Sequence, residues 1–169
     1  AASSFTFDEL GQFLAEEAGR GELLAEMVDA VSISLETSRA VVIRDNYLNG
    51  LFWIACVQKC FPIGCLGELS FSSYQYDERN CSVLNATTTG TDFSFDENQR
   101  RYQFFMFDMT TGVHSPFQAT NSEFATSVAT WMSEEPERLA SFHEFANRFR
   151  SVAIGCGLDD LIRLFRFSI

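Results

Sequence analysis

The sequence has very little lysine, histidine and proline, and it has no long apolar run. Lys59 is the single lysine among 169 residues, and only two histidines and three prolines are present. No stretch of about 18 consecutive apolar residues occurs, so we predict no membrane-spanning helix. The formal net charge is −11, which repels phosphate backbones and anionic lipid. We therefore expect a soluble protein with neither a nucleic acid nor a membrane as partner.

The first residues lack the features of a secretory leader. "AASSFTF" has no basic region followed by an apolar run, so we expect a cytoplasmic protein. Secretion after removal of a signal peptide is the alternative. Two glycosylation triplets, "NCS" at Asn80 and "NAT" at Asn85, keep a secreted or surface glycoprotein with a binding role open.

The five cysteines do not follow a disulfide or zinc pattern. Five is an odd number, whereas a secreted disulfide framework normally uses an even set. Cys56, Cys60 and Cys65 are separated by three and four residues, which differs from the two-residue spacing of a zinc knuckle. With 46% hydrophobic residues, a chain of this length can build a core without metals. We expect reduced thiols, no metal and no cofactor.

Helical signals lie near both ends of the chain. "TFDE" at Thr6 to Glu9 has the pattern of a capping box and is followed by apolar residues at helical spacing. Gly19 and Gly21 separate this helix from a second one. Towards the other end, Thr120 and Glu123 have the spacing of another capping box, and two amphipathic helices follow.

The middle of the chain favours strands. Arg39 to Asp45 is rich in β-branched residues and predicts a strand. "LFWIACV" at Leu51 to Val57 favours another, with a buried helix as the alternative. "ELSFSSYQY" and "CSVLNA" indicate two more strands. "YQFFMFD" is apolar on both faces apart from Gln103, which is typical of a central strand, so Phe104 to Phe107 should be buried.

Together these elements predict the fold class. We expect a single α+β domain over residues 1–169, with an antiparallel or mixed central sheet and helices at both chain ends. After the central strand, "DMTTG" predicts a turn, and Pro116 requires the return strand to be short.

The segment around this turn resembles part of a known superfamily. A strand ending in Phe-x-Phe-Asp, a Thr-Gly turn, a strand opening with Val-His and an amphipathic helix are similar to the C-terminal half of the SUKH superfamily. The matching residues are Tyr102, Phe105, Phe107, Asp108, Thr111, Gly112, Val113, Asn121, Phe124 and Val128. The proline-containing segment that usually follows the family's first helix is missing. The resemblance implies an α+β, non-enzymatic immunity protein that neutralises a toxin.

The sequence assigns no catalytic residue. His114 and His143 occur without a nucleophile elbow, a phosphate-binding loop or a metal-binding motif. Ordinary structural interpretations are a hydrogen bond from His114 to Asp108 and a solvated or capped His143. A small-molecule-binding or enzymatic domain with an aromatic pocket beside Trp53 or Tyr102 is the remaining alternative.

We therefore favour a non-enzymatic protein-binding module. The net charge would steer a basic protein partner towards an acidic surface, and self-association of the chain stays open. Candidate binding residues lie in the polar loop and between the last two long helices, where the core does not require them. They are Asp92, Asp96, Glu97, Glu134, Glu135 and Glu137.

Overall fold

The computed structural model describes residues 5–94, 103–114, 122–149 and 157–169. Its helices are α1 (Phe7–Ala15), α2 (Arg20–Glu36), α3 (Tyr47–Cys60), α4 (Glu123–Glu134), α5 (Pro136–Arg148) and α6 (Leu158–Ser168). Its strands are β1 (Ala40–Arg44), β2 (Phe71–Ser72), β3 (Leu84–Thr87), β4 (Phe104–Asp108) and β5 (Val113–His114). The predicted α+β class, with helices at both ends, is confirmed.

The five strands form one mixed sheet in the order β2-β3-β1-β4-β5. The pairs β2–β3, β3–β1 and β1–β4 are parallel, whereas β5 runs antiparallel to β4. β4 lies between β1 and β5, and all five of its residues are buried. This confirms the prediction that the Phe-rich segment is an internal strand.

The helices pack on one face of the sheet. Side chains alternate along a strand, and Val41, Ile43, Phe105 and Phe107 share their buried cluster with residues of the helices. The intervening residues Val42, Phe104 and Met106 form a separate cluster on the opposite face, where Phe93 covers them. The Phe93 and Phe104 rings meet edge to face at 5.2 Å between centroids. The protein thus has a helical layer on one side of the sheet and an outer face on the other.

The predicted capping box and the break at Gly19 are confirmed, whereas the predicted break at Gly21 is wrong. Thr6 and Glu9 form a reciprocal capping box at the start of α1. Gly19 has a φ of 92°, which an L side chain rarely adopts, and this left-handed residue precedes the first turn of α2. Gly19 therefore separates two helices that pack against each other, and Gly21 belongs to the first turn of α2.

The segment "LFWIACV" is helical, so the preference for a strand was wrong and the buried-helix alternative is correct. It forms the centre of α3, which begins after Asn46. The Asn46 side-chain oxygen accepts a hydrogen bond from the Asn49 N–H at 3.0 Å, which caps the helix. The close approach of Gly50 to β3 brings α3 onto the sheet, since a Cβ on Gly50 would lie 3.2 Å from the Ala86 side chain.

Helix α4 begins differently from the prediction. Its N-cap is Ser122, which accepts from the Ala125 N–H at 3.0 Å, so Glu123 is the first helical residue and not the third. Thr120, the predicted cap, lies outside the described residues. Within the described ranges, no helix combines the length and apolarity needed to cross a bilayer.

Candidate functional site

An acidic surface lies at one end of the helical layer. The first turn of α2 contacts the C-terminal end of α4, because a Cβ on Gly21 would lie 3.9 Å from the Ser133 hydroxyl. This contact brings two acidic segments together that are more than a hundred residues apart in sequence. We call this surface the acidic end, and its glutamates are Glu16, Glu17, Glu134, Glu135 and Glu137.

The arginines at the acidic end are held by the protein itself. Arg20 forms ion pairs with Glu16 at 3.4 Å and Glu17 at 3.1 Å. Its guanidinium also donates to the Phe13 carbonyl and stacks 4.1 Å from the centre of the Phe13 ring. Only 11% of the Arg20 side chain is exposed. This positive charge is therefore fixed close to the core.

The second arginine is held in a similar way. Arg138 pairs with Glu135 at 3.0 Å, and its guanidinium lies 5.2 Å from the centre of the Trp131 ring. Glu134 and Glu137 are exposed and make no ion pair with any residue in the described ranges. Carboxylates therefore outnumber guanidinium groups at the acidic end, and the surface carries net negative charge.

The six candidate residues do not all lie together. Glu134, Glu135 and Glu137 belong to the acidic end, whereas Asp92 is exposed beside Phe93 on the outer face. Asp96 and Glu97 lie outside the described residues. Sequence reasoning missed Glu16 and Glu17. Their adjacency before a glycine break was visible, but the contact between this turn and α4 depends on tertiary packing.

A second cluster of polar side chains lies at the carboxyl ends of β1 and β4. Arg44 forms an ion pair with Asp108, directly opposite it in the parallel register. The Thr110 and Thr111 hydroxyls donate to the same carboxylate at 2.6 and 2.7 Å. Burial acts to raise the pKa of Asp108, but the hydrogen bonds from Arg44 and the threonines outweigh it and hold that pKa well below its usual range.

The neighbouring Asp45 carboxylate is also engaged within the protein. It accepts from the Trp53 indole N–H at 3.1 Å, from the Asn46 N–H at 2.7 Å and from the Asn49 side chain at 3.3 Å. Trp53 itself is buried and meets the edge of the Phe13 ring. Asp108 thus connects β4 to β1, and Asp45 connects the end of β1 to α3. Tyr102, the other residue considered for an aromatic pocket, lies outside the described ranges.

The two histidines have separate surroundings. His114 lies in β5, opposite Phe107 of the antiparallel strand β4, and the centres of the two rings are 5.7 Å apart. The Asp108 carboxylate is instead bound by Arg44 and the threonines, so the expected bond from His114 to Asp108 is absent from the described contacts. Burial and the nearby Lys59 ammonium lower the pKa of His143, which packs at the end of α3. His143 is therefore a partly buried side chain and not a solvated one.

Four of the five cysteines lie in the described ranges, and each is a free thiol. Burial raises the pKa of Cys56 to about 12 and that of Cys60 well above its usual range, which keeps both in the unreactive thiol form. No group of three or more potential metal ligands occurs among the described residues.

The two glycosylation triplets differ in accessibility. Asn85 is fully buried in β3, and its amide donates to the Val41 and Ser82 carbonyls at 3.1 and 2.7 Å. A glycan on Asn85 is incompatible with this fold, because the side chain it would modify lies inside the sheet. Asn80 is exposed and has a φ of 55°.

These features define an α+β domain whose helices cover one face of a mixed sheet and whose helical layer ends in an acidic surface. Residues 10–111, from α1 through the turn after β4, match the family described as GTPase-associated protein 1, middle domain. The match covers more than half of the chain, and the chain belongs to this family. No curated protein and no solved structure matches it significantly.

The SUKH resemblance stays a prediction. The strand, turn, strand and helix that carry it are present as β4, β5 and α4. Such a unit is common in unrelated folds, however, and the family match ends at residue 111, before α4 begins.

Proposed function

We propose that this domain is a non-enzymatic module that binds a basic protein partner through its acidic end, within an assembly that includes a GTPase. The family description supports association with a GTPase. The SUKH resemblance supports an inhibitory consequence, in which the bound partner is neutralised as in an immunity complex.

The observation that carries the proposal is the uncompensated charge of the acidic end. Arg20 and Arg138 are already committed to ion pairs and aromatic rings, so neither can turn outward to meet an acidic partner without losing those contacts. Glu134 and Glu137 remain exposed at the junction of α4 and α5. Surfaces of this kind increase the association rate of oppositely charged proteins.

The test compares charge reversals at the two ends of the helical layer, using the protein that co-purifies with the wild-type chain. Glu134→Lys should slow association roughly tenfold at low salt, with a smaller change in dissociation, because steering acts mainly on encounter. The matched control is Glu36→Lys. Glu36 is an exposed residue at the far end of α2, about 25 Å from the acidic end by the rise of a helix.

Two further measurements complete the test: the salt dependence of the association rate, and the rate of nucleotide hydrolysis by the partner. The wild-type association rate should fall steeply between low and physiological salt, and Glu134→Lys should reduce that dependence. If the co-purifying protein is the GTPase, its hydrolysis rate with and without the domain shows whether binding inhibits it. Equal association rates for Glu134→Lys and the wild type would contradict the proposed role of the acidic end.

A further inference from the structure

The sheet has an exposed edge on the side of β2. Phe71 and Ser72 pair with Leu84 and Asn85 of β3. Further along, the Gln75 N–H donates to the Ala86 carbonyl at 2.7 Å, and the Thr87 hydroxyl donates to the Gln75 carbonyl at 2.7 Å. Residues 71–76, which we call the edge segment, therefore follow β3 along its whole length.

The backbone of the edge segment has groups that point outward. In a parallel pair, hydrogen-bonding groups of successive residues alternate between the partner strand and the opposite side. The Leu84 N–H donates to the Ser70 carbonyl at 3.1 Å, so the N–H and carbonyl of Phe71 point away from β3. Beyond β2, the chain stays beside β3 through the Gln75 backbone, and the Tyr76 side chain is half exposed.

The edge segment lacks the residues that usually block pairing. Proteins protect exposed edges with very short strands, bulges, lysine, proline or inward-pointing charges. β2 is short, with two residues, but the chain that continues beside β3 lacks the protective side chains. Residues 68–76, "ELSFSSYQY", contain no lysine, arginine or proline. Instead, Phe71, Tyr74 and Tyr76 expose 38%, 48% and 50% of their surface. Aromatic residues of this kind are enriched at protein interfaces.

We propose that the edge segment binds an extended segment of a partner protein, which joins the sheet as an additional strand beside β2. The partner segment would place apolar side chains against Phe71 and Tyr76 and carry net positive charge, with a basic residue at the end that faces Glu68. This charge follows from the exposed Glu68 carboxylate and from the net charge of −11, because the Asp77 carboxylate at the other end is already paired with Arg79. Main-chain hydrogen bonds give such a complex its affinity, and the side chains give its specificity.

Charge also decides between a partner segment and a second copy of this chain. Pairing of two edge segments would bring two copies of the same acidic chain into contact. Each copy carries a net charge of −11, so self-pairing is opposed by repulsion. The edge segment is separate from the acidic end, and Glu134→Lys should leave binding at the edge unchanged.

The first experiment uses a synthetic peptide of alternating valine and threonine with two arginines at each end. Amide resonances of Phe71 and Tyr76 should shift on titration, and hydrogen exchange of the Phe71 amide should slow, because the peptide occupies its outward N–H group. A peptide of the same sequence with N-methylated central amides has the same charge but cannot complete the pairing, so it should bind at least about tenfold more weakly.

Two matched variants locate the binding site. Phe71→Lys should weaken peptide binding about tenfold or more, and Tyr76→Lys should do the same if Phe71→Lys fails to fold. Phe167→Lys is the control, since Phe167 is 90% exposed on α6 in the helical layer and undergoes the same change in charge. Equal binding of both peptides, absence of shifts at Phe71 and Tyr76 at millimolar peptide, or a dimer that Phe71→Lys dissociates would each overturn the proposal.

Discussion

Asp108 joins two parts of the chain that are far apart in sequence. Its carboxylate accepts from Arg44 on β1 and from Thr110 and Thr111 in the following turn. The Met109 N–H also donates to the Arg44 carbonyl at 2.9 Å, so the backbone supports the same contact. The residue therefore fixes both the register of β1 with β4 and the start of the turn to β5.

Replacing Asp108 with asparagine should destabilise the protein by roughly 3 kcal/mol at pH 7, because the change breaks the ion pair with Arg44 in a mostly buried site. The folded-state pKa of Asp108 is depressed, so its stabilising contribution is present above the unfolded pKa of about 4 and is lost as pH falls through the folded value. In urea unfolding, the difference between wild type and Asp108→Asn should therefore shrink below pH 4.

The matched control is Asp77→Asn, which removes a carboxylate paired with the largely exposed Arg79. Its unfolding midpoint should stay at the wild-type value, since surface ion pairs contribute little to stability. A constant difference between Asp108→Asn and wild type from pH 7 to pH 3 would show that the charge of Asp108 is not the stabilising feature.

At the residue scale, the sequence predicted the contacts that Asp108 makes within its own turn but not its contact with β1. Bonds between Asp108 and the threonines follow from the turn pattern "DMTTG", and they are present. Arg44 was not predicted as the partner, because its position opposite Asp108 depends on the parallel pairing of β1 and β4. His114 was expected in that place because it is close in sequence.

At the scale of elements, α3 shows why the pattern of apolar residues was insufficient. The helix is buried on several sides, and the five successive residues Trp53 to Val57 are all buried. Such a helix has no polar face, so periodicity cannot distinguish it from a buried strand. The signal that indicates a helix is Asn46, whose side chain caps the first turn. In the sequence alone, Asn46 is equally consistent with a polar turn after the strand.

The start of α4 provides a prediction for this scale. Ser122 accepts from the Ala125 N–H and also donates to Asp29, a residue of α2 that is only 2% exposed. Ser122→Ala should therefore lower the free energy of unfolding by about 1–2 kcal/mol, since it removes a helix cap and leaves a buried carboxylate with fewer donors.

A double-mutant cycle with Asp29→Asn separates the two contributions, because residues in one hydrogen-bond network are not additive. Thr130→Ala is the control: it removes an exposed hydroxyl that bonds only within α4, to the Thr126 carbonyl, and should change stability by less than about 0.5 kcal/mol. Additive effects of Ser122→Ala and Asp29→Asn would mean that their hydrogen bond does not anchor α4 to α2.

At the scale of the whole molecule, charge is predictable from composition but its distribution is not. The sequence gives a net charge of −11 and correctly indicated that Glu134, Glu135 and Glu137 lie outside the core. The acidic end exists because α4 packs against α1 and the first turn of α2, which places Glu16 and Glu17, between these helices, near the same surface. Asp92 does not belong to the acidic end, because the chain at Phe93 packs on the outer face, opposite the helices.

This distribution predicts how salt affects the isolated protein. Mutual repulsion of its carboxylates opposes the compact state, so urea unfolding should show higher stability at 150 mM than at 10 mM sodium chloride, where the Debye length is about 30 Å. Screening also weakens exposed ion pairs such as Arg148 with Glu144, but such pairs contribute only about 0–1 kcal/mol. Glu134→Lys with Glu137→Lys reduces the net negative charge and should reduce the gain from salt, while the two glutamine substitutions should give an intermediate gain. Equal salt dependence in all three proteins would mean that repulsion at the acidic end does not limit stability.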